Sequence, residues 1–262
     1  MNIYKTLQYI KYKLTARHWK GYEIQPPFAF DFVRRVLQED SYYYCFEDIE
    51  DYRIKLIDDT RHIHVTDLGA GSKVFKSHHR KVGDIALNCA TGEWEAQLIF
   101  RIIQETKPKT IIELGTSLGI GTLYLGCANR RAKLYTIEGC PQIAQIAQEA
   151  IGQFKLKNTT LKVGSFAEVL PQILKQEETI DFVYIDGDHT KNGTLSYFKT
   201  ILPKLNSNSV VIFDDIYWSA EMQQAWQTII KMEEVRISFD IFHLGIIFFR
   251  EGCQKQHYQV WI

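Results

Sequence analysis

Lys109 to Arg130 reads KTIIELGTSLGIGTLYLGCANR, and the rest of the chain is organised around it. An apolar run, Thr110-Ile111-Ile112, is closed by Glu113, and a glycine-rich turn from Gly115 to Gly121 leads into Thr122-Leu123-Tyr124-Leu125, which reads as a helix. Strand, tight turn and helix N-terminus make a junction that binds polar or anionic groups. The first N–H groups of a helix lack internal partners, and glycine lets the main chain approach a ligand that a Cβ would hold away. A nucleotide-like ligand is the first expectation.

Spacing narrows the kind of nucleotide. A dinucleotide fold places glycines in the order glycine, one residue, glycine, two residues, glycine; counting from Gly115 gives Gly115, Ser117 and Ile120, so that fingerprint fails. The stretch Glu113-Leu114-Gly115-Thr116-Ser117-Leu118-Gly119 instead resembles the first motif of class I S-adenosylmethionine (SAM) methyltransferases, in the form found in small-molecule O-methyltransferases related to catechol and caffeoyl-CoA methyltransferases.

Length and composition allow one α/β domain with an extension, or two small domains, within 262 residues. Lys plus Arg and Asp plus Glu are both 31, so no global field draws the chain to nucleic acid or to an anionic membrane. Five scattered cysteines, Cys45, Cys89, Cys127, Cys140 and Cys253, form no C-x-x-C pair and read as free thiols of a reducing cytoplasm. No apolar run suits a signal peptide or a bilayer span, so a cytoplasmic protein without stable membrane association is expected.

Outward from the central stretch, apolar strands and helices alternate. Strands are expected at Thr110–Leu114, Lys133–Ile137, Thr160–Val163, Ile180–Asp186 and Ser209–Asp214, with helices at Gly119–Asn129, Pro141–Phe154, Phe166–Lys175 and Thr190–Leu202. A helix before them, Glu93–Thr106, carries a stripe of Trp94, Leu98, Ile99, Ile102 and Ile103, and a last helix, Ala220–Glu233, leads to an antiparallel hairpin over Val235–Phe239 and Ile241–Arg250. The alternation predicts a parallel sheet with helices on both faces and ligands at the carboxyl ends of its strands. The resemblance adds a Rossmann-like sheet of seven strands, mostly parallel, whose last strand runs against the others.

Before this domain, residues 1–90 are expected to form a helical cap that shapes the substrate pocket, leaving 91–262 as the SAM-binding domain. The first twenty residues carry Lys5, Lys11, Lys13, Arg17 and Lys20 and no acid, with Ile3, Leu7, Ile10 and Leu14 at helical spacing. That stripe is expected to pack on its own domain rather than on a membrane. After Pro26-Pro27, helices are expected at Phe28–Gln38 and Tyr42–Asp59. Val65 to Ser72, VTDLGAGS, imitates a first methyltransferase motif, but Lys73 to Lys81 offers no helical stripe to follow it. It reads as a structured loop that can line the site with Ser72, His78, His79 and Arg80.

The resemblance assigns the cofactor residues. Glu138, 23 residues beyond Gly115 at the end of the second strand, is the ribose ligand: a carboxylate there accepts from both vicinal hydroxyls. Gly115, Thr116, Ser117 and Gly119 form the turn, and Glu113 orders that turn or meets the ligand's amino group. Ser165 and Phe166, between the third strand and its helix, flank the adenine, although a Gly-Ser pair before a helix is also an ordinary cap.

A second cluster is Tyr184-Ile185-Asp186-Gly187-Asp188-His189 with Val211-Ile212-Phe213-Asp214-Asp215-Ile216-Tyr217-Trp218. Each places acids at the end of an apolar strand, and neighbouring strands lie ~4.8 Å apart, so Asp186, Asp214 and Asp215 can converge. Three such carboxylates repel unless a cation or protons intervene, and their hard oxygens suit Mg2+ or another divalent ion. Metal-dependent O-methyltransferases look like this, with a lysine base where this chain has His189; histidine titrates near neutrality and can serve. In a version without metal, Asp186 and Asp188 cap the next helix and the Asp214-Asp215 pair orients SAM. Tyr217 and Trp218 can wall the site or belong to the core.

The function expected is SAM-dependent O-methylation of a small-molecule hydroxyl, assisted by a divalent ion. Asp186, His189 and Asp214 are the catalytic set and Asp186 also touches the cofactor; a homodimer and no nucleic-acid partner are expected. The alternatives are a nucleic-acid methyltransferase, a metal-dependent hydroxylase-like enzyme, and a SAM-binding module without catalysis.

Overall fold

Residues 3–25, 27–66 and 77–261 are described by the computed structural model, which places the central stretch as read. In chain order the elements are α1 (Ile3–Thr15), α2 (Pro27–Phe32), α3 (Tyr44–Ile57), β1 (His62–His64), β2 (His79–Lys81), α4 (Val82–Cys89), α5 (Glu93–Thr106), β3 (Thr110–Leu114), α6 (Ile120–Ala128), β4 (Lys133–Glu138) and α7 (Pro141–Gln153). They continue as β5 (Thr159–Val163), α8 (Phe166–Gln176), β6 (Ile180–Ile185), α9 (Lys191–Ile201), β7 (Leu205–Asp214), α10 (Ala220–Ile229), β8 (Ile237–Asp240), β9 (Leu244–Phe248) and β10 (Gln256–Gln259). The fold is a mixed sheet of eight strands, mostly parallel, with helices around it.

The contacts divide the chain into two units, Ser41–Glu178 and a second made of Met1–Asp40 with Thr179–Ile262. In the first, β3, β4 and β5 are parallel neighbours in that order, with Ile112 opposite Tyr135 and Tyr135 opposite Thr160. All five residues of β3 are buried, as in a strand covered on both faces; Ile111, Ile112 and Leu114 are apolar, and Thr110 and Glu113 are its buried polar residues. On α5, Leu98, Ile99, Ile102 and Ile103 are buried as the stripe predicts, but Trp94 is exposed: it sits in the first turn, where the stripe has not yet met its partner.

In the second unit the order is β10-β8-β9-β7-β6. β6 and β7 are parallel, and β9 runs antiparallel to both β7 and β8, so the expected hairpin forms and its second strand is the reversed one. An eighth strand, β10, pairs parallel with β8 and was not expected. Its sequence, Gln256-His257-Tyr258-Gln259, lacks the apolar run of a central strand and suits an edge.

The amino-terminal segment departs further. α1 forms, but Ile3, Leu7, Ile10 and Leu14 all face outward, 52–81% exposed. The opposite face is seated by hydrogen bonds: Tyr12 donates to the Val260 carbonyl, and Tyr4 donates to Gln223 Oε1 at 2.5 Å. The expected packing of the stripe is therefore inverted. The helix expected at Phe28–Gln38 begins at Pro27, a residue suited to a first helical position, and passes into a π-helical turn over Val33–Leu37. Of the loop expected at Val65 to Lys81, residues 67–76, Ser72 among them, lie outside the described residues. His79 to Lys81 pairs antiparallel with His62 to His64, and Arg80 is buried, its Nε donating to the Ser77 carbonyl at 3.1 Å.

Candidate functional site

In the unit Ser41–Glu178 the carboxyl ends of three neighbouring strands are tied together around Glu138. The backbone N–H groups of Gly115 and Thr116 donate to the Ile137 carbonyl, 3.1 and 3.2 Å, while that of Gly164 donates to the Glu138 carbonyl at 2.9 Å. The Glu138 carboxylate accepts from Ser117 N through Oε2 and from Cys140 N through Oε1, each at 2.9 Å. Two fixed donors hold the group in one orientation, and a carboxylate oxygen can accept more than one hydrogen bond.

The turn requires its glycines. Gly115 and Gly119 have φ of 105° and 91°, and Ser117 between them is also left-handed at 48°. A Cβ on Gly119 would stand 3.2 Å from the Ala147 Cα, so α6 starts where only glycine lets it approach α7. Glu113 lies beneath, 1% exposed, accepting from the Thr122 and Thr136 hydroxyls at 2.5 and 2.6 Å. Burial pushes its carboxyl up to about 7, the hydroxyls pull it down, and the charge of Glu138 pushes it up again. These bonds reach Thr122 of α6 and Thr136 of β4, on either side of the turn. Thr116 is buried, its hydroxyl 2.5 Å from that of Thr136.

Ser165 caps α8: its Oγ accepts from Glu168 N at 3.3 Å and donates to Glu168 Oε2 at 2.8 Å. This Ser-x-x-Glu arrangement is a helix-start device. Phe166, the first residue of α8, is half-buried beside it.

The acid cluster lies in the other unit. Asp214 ends β7 and Asp186 follows β6. Burial first, then the charges of Asp186 and Asp215 and a hydrogen bond to Asp186, push the Asp214 carboxyl well above the usual range. Neighbouring carboxylates and burial thus both favour the neutral form of Asp214. His189 Nε2 is 3.7 Å from Asp186 Oδ1, and its ring lies 5.9 Å from that of Trp218. Asp188 belongs to α9 instead, accepting from Thr190 Oγ1 and from the Tyr197 hydroxyl at 2.9 Å. Tyr217 is core, donating to the buried Asp240 at 2.6 Å and stacked on Phe242, whereas Trp218 is half-buried beside the cluster.

Sequence reading missed Lys5. From α1 its Nζ reaches Asp215 Oδ1 at 2.9 Å and lies 5.6 Å from the Trp218 ring centre. No local pattern marks it, because the partner is 210 residues away. With Asp215 engaged by an ammonium, the expected metal set of Asp186, Asp214 and Asp215 does not fit a divalent ion as arranged, and among the described residues no group of three acidic, histidine or cysteine side chains is placed to hold one.

Comparison with known proteins agrees with this fold. Residues 112–216 match the model of a methyltransferase domain. Catechol O-methyltransferase of Sus scrofa is 30% identical over 99 residues, 36% of this chain and 53% of that protein. O-methyltransferase hkm8 of Aspergillus hancockii is 28% identical over 134 residues, 48% of this chain and 51% of that protein. The chain thus spans about half the length of these curated relatives. Among solved structures, the SAH-bound methyltransferase PaMTH1 of Podospora anserina superposes with a TM-score of 0.60 at 15% identity, covering 87% of this chain and 99% of that one. The O-methyltransferase TomG of Streptomyces achromogenes, in complex with SAM, gives 0.55 at 18%, covering 62% and 82%. The chain is thus similar, through the matched methyltransferase domain over residues 112–216, to the class I SAM-dependent methyltransferases and among them to small-molecule O-methyltransferases of catechol type.

Proposed function

We propose that this chain methylates a hydroxyl of a small molecule with SAM as the methyl donor. The observation that carries the reading is the Glu138 carboxylate, pinned by Ser117 N and Cys140 N where the three strand ends meet. SAM supplies a methyl group made electrophilic by a sulfonium. On this reading Glu138 accepts from both ribose hydroxyls, and Gly115, Thr116, Ser117 and Gly119 supply the main-chain surface. Glu113 holds the turn, Phe166 offers the adenine an apolar face, and Ser165 fixes the helix start beside it.

The acceptor hydroxyl gives its proton to His189 Nδ1 as its oxygen bonds the methyl carbon and the carbon–sulfur bond breaks, leaving a neutral thioether. Asp186, on the side of the other ring nitrogen, Nε2, orients the imidazole, and Asp214 supports Asp186 through the hydrogen bond between them. Positioning supplies most of the acceleration in a displacement of this kind.

Of two charge arrangements for this scheme, a divalent ion on Asp186, Asp214 and Asp215 would require Lys5 to leave Asp215; the other keeps Lys5 on Asp215 and needs no ion. The Lys5–Asp215 pair favours the second. Residues 1–90, Lys5 among them, shape the acceptor's pocket. A homodimer, a cytoplasmic location and no nucleic-acid partner complete the reading; light scattering, fractionation and gel shift test these in turn.

The deciding experiment is calorimetry of SAM with the wild type and Glu138→Ala. Binding that is lost in the variant supports the reading, and equal affinity removes it.

A further inference from the structure

A helix on a water-soluble domain turns its apolar stripe inward, and α1 does the reverse. Residues 3, 7, 10 and 14 recur on one face, and there Ile3 and Leu14 are 78% and 81% exposed. The inward face is polar: Tyr4, Lys5, Gln8 and Tyr12 bond to Gln223, Asp215 and the Val260 carbonyl. The outward face is therefore fixed rather than a stripe that has slipped from its seat.

Its surroundings say what covers it. Lys11 and Lys13 flank the stripe, Arg17 and Lys20 follow it, and no acid occurs before Glu23. The Lys13 Nζ lies 4.9 Å from the centre of the Trp261 ring and 5.4 Å from that of Tyr9, and both aromatics are exposed. An aliphatic stripe, a lysine on each side and an aromatic rim match the boundary between acyl chains and anionic headgroups. They do not match a second copy across a two-fold axis, because such a contact is isologous. With the axis through the stripe it would set α1 on α1, lysine rows facing each other with no acid in the segment to pair them.

We propose that the outer face of α1 docks reversibly on an anionic lipid surface, with Ile3, Leu7, Ile10 and Leu14 entering the acyl boundary and Lys11 and Lys13 meeting lipid phosphates. Among the described residues no helix is long and apolar enough to cross a membrane, so this is attachment in the plane of the surface. It is independent of the methyl-transfer reading.

The test is co-sedimentation of the full chain with vesicles of phosphatidylcholine alone and of phosphatidylcholine mixed with phosphatidylglycerol, with Leu7→Ser/Leu14→Ser as the variant. These leucines are exposed, so the variant keeps its fold, checked by its melting temperature. Binding to the mixed vesicles that exceeds binding to phosphatidylcholine by about tenfold or more, falls with salt and is lost in the variant supports the proposal. Equal binding by the variant overturns it, as does absence of binding by the wild type. A wild-type dimer that the variant converts to a monomer, without vesicle binding, overturns it in favour of a contact between copies.

Discussion

Lys5 Nζ lies 2.9 Å from Asp215 Oδ1, joining the first helix to the acids that follow β7. Both side chains are about three-quarters buried, so the pair is screened less than a surface pair. It brings a cation to three neighbouring carboxylates, of which Asp214 is pushed toward its neutral form by burial first and then by the charges of Asp186 and Asp215.

A double-mutant cycle of Lys5→Met and Asp215→Asn should therefore give a coupling of about 1 kcal/mol in unfolding free energy. Turnover of the wild type should be unchanged by a chelator. Turnover that collapses with chelator and returns with Mg2+ would show that an ion displaces Lys5 from Asp215.

Glu138→Gln keeps shape but loses charge, and should weaken SAM binding by about 2 kcal/mol, roughly thirtyfold, as a charge-assisted acceptor becomes a neutral one. Calorimetry measures it. Glu138→Ala should cost more, since the Ser117 N–H also loses its partner and the turn loosens. Equal losses in the two variants would mean that orientation of the turn, rather than charge on the sugar, is what Glu138 provides.

Glu113 sets a pH dependence of stability. Its folded pKa is raised to about 7 from 4.5 by burial, so the folded state holds a proton that the unfolded chain has released. The contribution is fully present below about 4.5 and is lost as pH rises through about 7. The gap corresponds to about 3 kcal/mol. The stability of the wild type should fall by that order between pH 5 and pH 8 relative to Glu113→Gln, which cannot titrate. Parallel profiles for the two proteins would contradict this.

Gly119 combines φ of 91° with an approach of 3.2 Å between its added Cβ and the Ala147 Cα. Gly119→Ala should destabilise the fold by about 2 kcal/mol through left-handed strain and displacement of α7. Denaturant titration reads it, and a loss below a few tenths would show that the turn has slack.

What could be read beforehand follows from which interactions are local. β3, α6, β4, α7, β6 and β7 were legible because a covered parallel strand is mainly apolar and its helix starts at a glycine or a cap. Glu138 and the Gly115 turn were both expected at the carboxyl ends of the strands, but the hydrogen bond from Ser117 N to Glu138 was not. Lys5 could not be found this way, since a lysine on a basic helix looks alike whether it meets water or an aspartate. The stripe of α1 shows the complementary limit: periodicity reveals that a helix has two unlike faces, not which one the domain covers. β10 escaped because an edge strand needs little apolar sequence, and Trp94 because a helical period continues past the point where the packing surface begins.

Ser165 separates two roles that coincide in sequence. Its hydroxyl already accepts from Glu168 N and donates to Glu168 Oε2, so as a cap it is satisfied without a ligand. Ser165→Ala should then cost about 1 kcal/mol of stability, the usual worth of such a cap, and Ser165→Asp should restore part of it, because aspartate caps as well and suits a helix N-terminus but loses the bond to Glu168 Oε2 and meets its charge. SAM affinity distinguishes the second role. If the hydroxyl also meets an adenine nitrogen, it must turn from Glu168 to do so, and Ser165→Asp, a carboxylate without a proton to donate, recovers part of the stability but not the affinity. If affinity returns with stability, Ser165 acts on the cofactor only through the position of α8, and the contact to adenine falls to Phe166 and the main chain of the Gly164 turn.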